Sequence, residues 1–409
     1  MSNEMPRMNN PNAQLSPKIP EEKNLERNVV SLGWVAFFGG LAQDMIQPIL
    51  PVFYTSVLGL NKEFIGLIEG SLTTAVSLMK IGAGYLSDAL GVRKIIVFIG
   101  YALSAIARFT LGFAGNGTAV FGLRLTDGVG KGLKDAPRDA LVAGSAGGRK
   151  LGFAFGIQRT LDTLGSVAGP LIAYGLLRLW ADHPNKYREV FLVAGVIAAV
   201  PLLIIGLWVK ERKQPVNKQF ISLKVLQGPF SGFLVIMLLF TLGNSSDAFL
   251  ILRAEDVGVP SSVIPLIVAL FNLVSALTAI PAGRLSDRIG RRKAISLGWG
   301  VYALTYSGFA LVHQSWMIWG LYAFYGLYYA FTEGSGKAMV AELVPEANQG
   351  AAYGLYNASV GIMALPASLL AGVLWNQVSP AAPFAFGAIM AFIAFTALWF
   401  IPVKRVYNL

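Results

Sequence analysis

Residues 84–94 read Gly84-Tyr-Leu-Ser-Asp88-Ala-Leu-Gly91-Val-Arg93-Lys94, and residues 283–293 read Gly283-Arg-Leu-Ser-Asp287-Arg-Ile-Gly290-Arg291-Arg-Lys293. Both fit G-x-L-S-D-x-x-G-x-R-K, and the second copy begins 199 residues after the first. A repeat of so long a period, placed between apolar runs each time, argues that the chain is a duplicated half.

The composition says what the halves are made of. Of 409 residues, 55% are hydrophobic and 13% charged, whereas soluble domains carry about 25% charge. So little polar side chain cannot coat two or three water-soluble cores, so lipid must serve as solvent for much of the chain. Sliding a length of about 20 residues, the thickness of the hydrocarbon in helix, along the sequence gives twelve spans. They are placed at 29–57, 63–87, 94–113, 117–144, 149–178, 189–210, 229–254, 261–285, 294–312, 315–341, 349–376 and 382–403. The fold class is therefore an all-α membrane protein of twelve transmembrane helices in two pseudo-symmetric six-helix bundles.

With the N-terminus inside, twenty Lys and Arg residues fall in cytoplasmic segments and five outside: Lys62, Arg178, Lys186, Arg188 and Arg253. Positive loops resist translocation, so both termini are expected in the cytoplasm. The expected organisation is a disordered tail over 1–28, a bundle over 29–210, a cytoplasmic linker over 211–228, a bundle over 229–403 and a short tail over 404–409. The tail is too polar for a signal peptide, and the apolar run after it holds Asp44. The net charge of +11 is scattered between apolar runs, which does not make a nucleic-acid face. Cysteine is absent and the two histidines lie in polar gaps, so no metal and no cofactor is expected.

The repeated string resembles the motif that the major facilitator superfamily carries between its second and third helices and again between its eighth and ninth. By that resemblance the chain has the superfamily fold, and Asp88 caps the eleventh span while Asp287 caps the fifth. These contacts would form a cytoplasmic latch when the site faces out, drawing on Gly84, Asp88, Gly91, Arg93, Gly283, Asp287, Gly290 and Arg291. The glycines are expected to allow close helix approach. In the fourth span, Arg124-Leu-Thr-Asp127-Gly-Val-Gly-Lys131 is similar to the superfamily's helix-four motif. The family has glutamine where this chain has Asp127, a carboxylate one turn from Arg124 and able to pair with it. Gly165-Ser-Val-Ala-Gly169-Pro170 in the fifth span is similar to a motif of proton-coupled antiporters, although close-packing glycines are ordinary in membrane helices.

Away from the span ends, sixteen charged residues sit inside the spans, eight of each sign. At roughly 2.5–3.5 kcal/mol for each unpaired charge at mid-membrane, they would cost on the order of 50 kcal/mol, far beyond a stability of about 5–15 kcal/mol. They must be paired, neutralised or set in a polar cavity. The fourth span is densest, and its charges recur at steps of three and four, so this stripe is expected to face a central cavity. Pro137 is expected to kink or end that helix, which would hand Arg138 and Asp139 to the latch. Arg159 and Asp162 lie one turn apart. Asp44 and Asp247 occupy the first and seventh spans, which are equivalent helices, and a carboxylate there can exchange a proton as access alternates.

Proton coupling is accordingly expected of Asp44, Arg124, Asp127, Asp162 and Asp247. Substrate binding is expected of Lys131, Arg159, Asn244, Tyr325, Tyr329, Glu333 and Asn357. The resulting expectation is no enzyme but a monomeric secondary transporter in a bacterial inner membrane, working by alternating access. It would move a small polar, charged or zwitterionic solute with protons and lipid as its other partners, and export by antiport comes first. Proton-symport uptake of a metabolite or metal chelate is the alternative, and a non-transporting receptor or scaffold is the rival from another class.

Overall fold

The computed structural model describes residues 22–146, 151–211, 226, 228–345 and 348–400, with the side chains of 22–26 and 88 excepted. Residues 1–21 of the expected N-terminal tail, the expected C-terminal tail, nearly all of the linker and the side chain of Asp88 lie outside the described residues; residues 22–28, expected to be disordered, are instead helical and open α1. Fourteen α-helices run in chain order: α1 (Glu22–Ile46), α2 (Leu50–Val52), α3 (Lys62–Leu90), α4 (Lys94–Leu111), α5 (Gly117–Ser145), α6 (Leu151–Leu179) and α7 (Lys186–Leu207), then α8 (Pro229–Gly243), α9 (Ala248–Asp256), α10 (Ile264–Ile289), α11 (Arg291–Leu311), α12 (Met317–Leu343), α13 (Gln349–Gln377) and α14 (Ala382–Leu398).

They make twelve membrane-crossing rods, because two spans are interrupted. The first is α1, α2 and a π turn over Phe53–Val57, and the seventh is α8 plus α9. Among the described residues, seven stretches are long and apolar enough to cross a bilayer on their own. Helices α5, α6, α11 and α12 are diluted by charged, glycine and tyrosine residues, and α14 is short. Large apolar side chains face outward, Leu304 at 76% exposure and Leu277 at 68% among them. That surface suits acyl chains and would be untenable in water.

Two bundles of six rods meet mainly through α3 against α13 and α6 against α10. The approach of α3 to α13 leaves no room for side chains: a Cβ on Gly66 would stand 2.2 Å from the Ser368 carbonyl oxygen. Within the first bundle α6 lies against α1, and a Cβ on Gly165 would stand 2.3 Å from the Phe37 carbonyl oxygen. Tight packing is thus a sufficient reason for the Gly165-x-x-x-Gly169 pair.

The glycines of the repeat behave differently from the expectation. Gly84 meets only ordinary van der Waals distance at Ala136 and Gly283 faces open space, so neither is needed for close approach. Gly91 (φ 64°) and Gly290 (φ 91°) are required instead by the left-handed backbone where the chain leaves α3 and α10, a conformation costly for residues with a Cβ. Pro137 does not end α5, which continues to Ser145. A proline removes one helical hydrogen bond there, and the packing of the last turns holds the rod together.

Candidate functional site

The interruptions fall at matching places. Residues 47–49 form a turn in the first span, and Asn244–Ser246 are non-helical in the seventh; the repeat offset of 199 carries Gln47 onto Ser246. Backbone left without helical bonds at mid-membrane is tolerated only where it is buried in protein or borders a polar cavity. Paired breaks in corresponding helices point to the binding site. Here the freed groups are met locally: the Ser246 amide donates to Ser368 Oγ (3.2 Å), the Ala248 amide to Ser246 Oγ (3.3 Å), and the Tyr302 hydroxyl to the Gly243 carbonyl (3.1 Å).

Both breaks border a chamber of about 350 Å³ between the bundles. Gln43, Gln47, Glu69, Arg124 and Lys131 form the wall from the first bundle, and Asn244, Ser246, Asp247 and Tyr329 the wall from the second. A larger groove, about 620 Å³, lies near Gly59 and Gly117, where the only ionisable lining group is Glu63, and it is not the site of the chemistry.

The first wall is an ion-pair network. Arg124 from α5 grips Glu69 from α3 through Nη2 (2.9 and 3.0 Å) and Nε (3.3 Å), and Tyr54 donates to the same carboxylate (3.1 Å). Asp127 Oδ1 accepts Arg108 Nε at 3.2 Å, while Oδ2 meets Arg124 Nη1 at 3.4 Å and Lys131 Nζ at 3.3 Å. Two carboxylates against three cations leave one net positive charge. Only Lys131, at 14% exposure, and the outer faces of Arg124 and Glu69 touch the chamber. Asp127, at 3%, is sealed among α3, α4 and α5. The charged stripe of α5 is therefore split: part borders the chamber, while Asp127 and Lys134 turn into the bundle. Lys134 sits 4.1 Å above the ring of Tyr101, a cation–π contact that substitutes for a counter-ion.

The second wall is aromatic. Asp247 accepts from Tyr325 (2.7 Å) and Tyr329 (3.4 Å). Asn244 donates to the Tyr328 hydroxyl (3.4 Å) and accepts from Tyr302 (3.3 Å). The tyrosines stack among themselves, Tyr302 on Tyr306 at 4.0 Å. No basic side chain reaches Asp247 among the described residues, so the two walls carry opposite charge.

Other expected residues lie elsewhere. Asp44 is buried on α1 beside Ser166 and does not line the chamber. Asp162 faces Gly40 of the same bundle. Arg159 does not pair with Asp162; it reaches across to Glu333 of the other bundle (3.1 Å). Asn357 donates to the Tyr353 carbonyl of its own helix (2.9 Å) and is absent from the chamber lining. In the latch region Asp287 pairs with Arg291 at 2.5 Å and is 64% exposed, and Arg291 also meets Glu342 (3.5 Å). Asp287 thus does not reach the fifth span here. Arg138 holds Asp135, Asp139 and the Tyr101 hydroxyl, and Arg93 donates to the Ala140 carbonyl (3.4 Å). The Arg93 and Lys94 amides both donate to Glu211, at 3.1 and 2.7 Å.

The two ends of the molecule differ. At the end opposite the repeats the bundles touch through α2 and α9, Ser56 with Glu255 (3.3 Å) and Tyr187 with Ser261 (3.0 Å). At the repeat end charged side chains stand exposed around the mouth, Arg159 at 65% and Glu333 at 44%. The bundles are thus in contact at the end opposite the repeats, while the rim at the repeat end is exposed and crossed by the Arg159–Glu333 pair.

This geometry has relatives. A family model described as Major Facilitator Superfamily matches residues 32–252 and, a second time, 230–408. The chain belongs to the major facilitator superfamily. Members of this superfamily are transporters, so the chain is an integral membrane transporter and no enzyme. It is 34% identical over 389 residues to the uncharacterized MFS-type transporter MJ1317 of Methanocaldococcus jannaschii, covering 93% of this chain and 96% of that one. It is 28% identical over 292 residues to a multi-drug resistance efflux pump PmrA homolog of Lactococcus lactis, covering 67% and 70%. Among solved structures, the nucleoside transporter NupG (D323A mutant) superposes with a TM-score of 0.76 at 16% identity, covering 91% of this chain and 99% of that one. This last likeness is one of superfamily fold alone.

Sequence reasoning missed Glu69, Arg108 and Tyr54 as members of the network, although Glu69 and Arg108 were visible as charges in apolar runs. Among the described residues no group of three or more metal-ligating side chains forms a metal site.

Proposed function

We propose that this superfamily member exports a small charged or zwitterionic solute in exchange for protons, with the repeat loops and both termini in the cytoplasm of a bacterial inner membrane. The observation that carries the reading is the chamber between the bundles, with Lys131 on one wall and Asp247 on the other. A solute bearing an anionic and a cationic group satisfies both walls at once, whereas an apolar one would desolvate Lys131 and Asp247 without offering either a counter-charge. The efflux-pump relative supports export, and the twenty-to-five distribution of basic residues supports the orientation.

Each side chain then has a task. Lys131 and Arg124 receive the anionic end, and Asp247, held by Tyr325 and Tyr329, receives the cationic end. Asn244 orients the solute by hydrogen bonds. Asp44 and Asp247 are the proton carriers, because neither is held by an ion pair in the described network, and Asp162 supports them from α6. Asp127 is a fixed counter-ion whose three cations keep Arg124 in place. Arg159 and Glu333 bridge the mouth. In the opposite state Asp88 and Asp287, with their loops, would latch the cytoplasmic end.

The test is reconstitution into liposomes with an imposed inside-acid gradient and a panel of charged and zwitterionic solutes. Antiport predicts that an external solute accelerates loss of the gradient while it accumulates inside. Solute that enters only along with protons would make the protein a symporter, and the absence of any coupled flux would remove protons from the account.

A further inference from the structure

A second, smaller chamber opens beside the first. It holds about 180 Å³ and shares Thr241, Asn244, Tyr329 and Val360 with the main chamber, so the two lie side by side. Its inner wall is aromatic: Phe240 stacks on Trp299 with centroids 4.9 Å apart and planes 14° from parallel, and Tyr328 and Tyr356 close the sides. Met237 and Ile295 complete the apolar lining, and Thr332 and Glu333 form a polar rim. A cavity of about 150 Å³ with apolar walls takes one benzene ring, so the size fits a single aromatic ring. Trp299, Tyr328 and Tyr356 in its lining give an inserted ring aromatic neighbours. Every ionised group is kept to the mouth: Glu333 is tied to Arg159 across the bundles, and Asp247 lies in the neighbouring chamber.

We propose that this side chamber is a specificity pocket for one aromatic ring, so that the transported solute carries a ring joined by a short link to its charged head. The inference rests on the proposed function for the position of the head, and on the side chamber alone for the ring. Because Asn244 and Tyr329 border both spaces, the ring and the head are separated by no more than a short chain. A solute lacking the ring leaves the pocket without the contact that favours binding.

The experiment uses the purified full chain in lipid nanodiscs, with L-phenylalanine, L-alanine and phenethylamine as probes. Binding is followed by thermal shift and by the change in tryptophan emission that is lost in Trp299→Phe. L-Phenylalanine is expected to bind about ten-fold or more tighter than L-alanine, the effect of burying a ring, and to perturb Trp299. In Gly336→Ala the added methyl lies 3.0 Å from the Tyr356 hydroxyl and intrudes on the pocket. It is expected to reduce that preference about three-fold or more.

Equal binding of phenylalanine and alanine, with Trp299 emission unchanged, would overturn the ring pocket while leaving the proposed head-group site standing. Binding of phenethylamine equal to that of phenylalanine would keep the ring pocket and remove the anion-binding role of Lys131. Binding of none of the three would overturn both.

Discussion

Asp127→Asn removes one negative charge and hardly any volume, so its effect isolates electrostatics. In the wild type that carboxylate meets Arg108 at 3.2 Å, Lys131 at 3.3 Å and Arg124 at 3.4 Å, with the four side chains between 2% and 14% exposed. The substitution raises the net charge of the network from one to two and leaves Arg108 with no other carboxylate, its remaining described bond being to the Gly39 carbonyl (3.4 Å). Breaking a buried ion pair by removing one partner costs about 3–5 kcal/mol. With roughly 2–4 °C of melting temperature per kcal/mol for a unit the size of one bundle, the midpoint should fall by about 6–20 °C. Differential scanning fluorimetry of the detergent-purified protein measures this. A second substitution, Lys131→Met, should recover part of the loss in the Asp127→Asn background while being destabilising or neutral alone. A fall of less than about 2 °C, scaled in the same way, would mean that Asp127 is not the counter-ion the distances imply.

Other expectations follow from the two walls. Asp44→Asn and Asp247→Asn should each flatten the pH dependence of solute flux in liposomes, and a profile identical to wild type would eliminate that carboxylate as a proton carrier. Tyr325→Phe, which deletes the 2.7 Å bond to Asp247, should weaken solute binding about 10- to 150-fold, as expected for a hydrogen bond to a charged group; undiminished affinity would detach Asp247 from the site. Cysteines replacing Ser56 and Glu255, whose side chains are hydrogen-bonded across the bundles, should form a disulfide that stops transport until reduced. Full transport with the bridge intact would show that this end does not open.

Much of the architecture was legible because the bilayer imposes a simple rule on sequence. Apolar length located the rods to within about five residues, except that the first begins seven residues before its expected start, and the repeated Gly-x-Leu-Ser-Asp string marked the duplication. Charges inside spans announced a polar interior, since lipid would not tolerate them. The arrangement of those charges was not legible. Glu69 is 55 residues from Arg124, and Arg108 is 19 from Asp127; nothing along one helix says which rod will face it.

Periodicity places Asn357 on a helix face without saying that its side chain will donate to the Tyr353 carbonyl. Arg159 had an obvious neighbour one turn away in Asp162, and the structure instead spans two bundles to join it to Glu333. The helix breaks at 47–49 and 244–246 were hidden because hydropathy averages over a whole span. Their local cues were Pro48 and the run Asn244-Ser-Ser-Asp247, each in the same relative place in its half.

The central claim is that these polar groups line water between two moving bundles and do not face lipid. The chain contains no cysteine, so a single introduced thiol reports without background. Ser246→Cys places that thiol in the chamber, and Leu304→Cys places it on the outward apolar surface. In oriented membrane vesicles a water-soluble, membrane-impermeant maleimide should label Ser246→Cys from the repeat side, and from the opposite side as transport turns over, while Leu304→Cys stays unlabelled. Labelling of Leu304→Cys with Ser246→Cys inert from both sides would contradict the account.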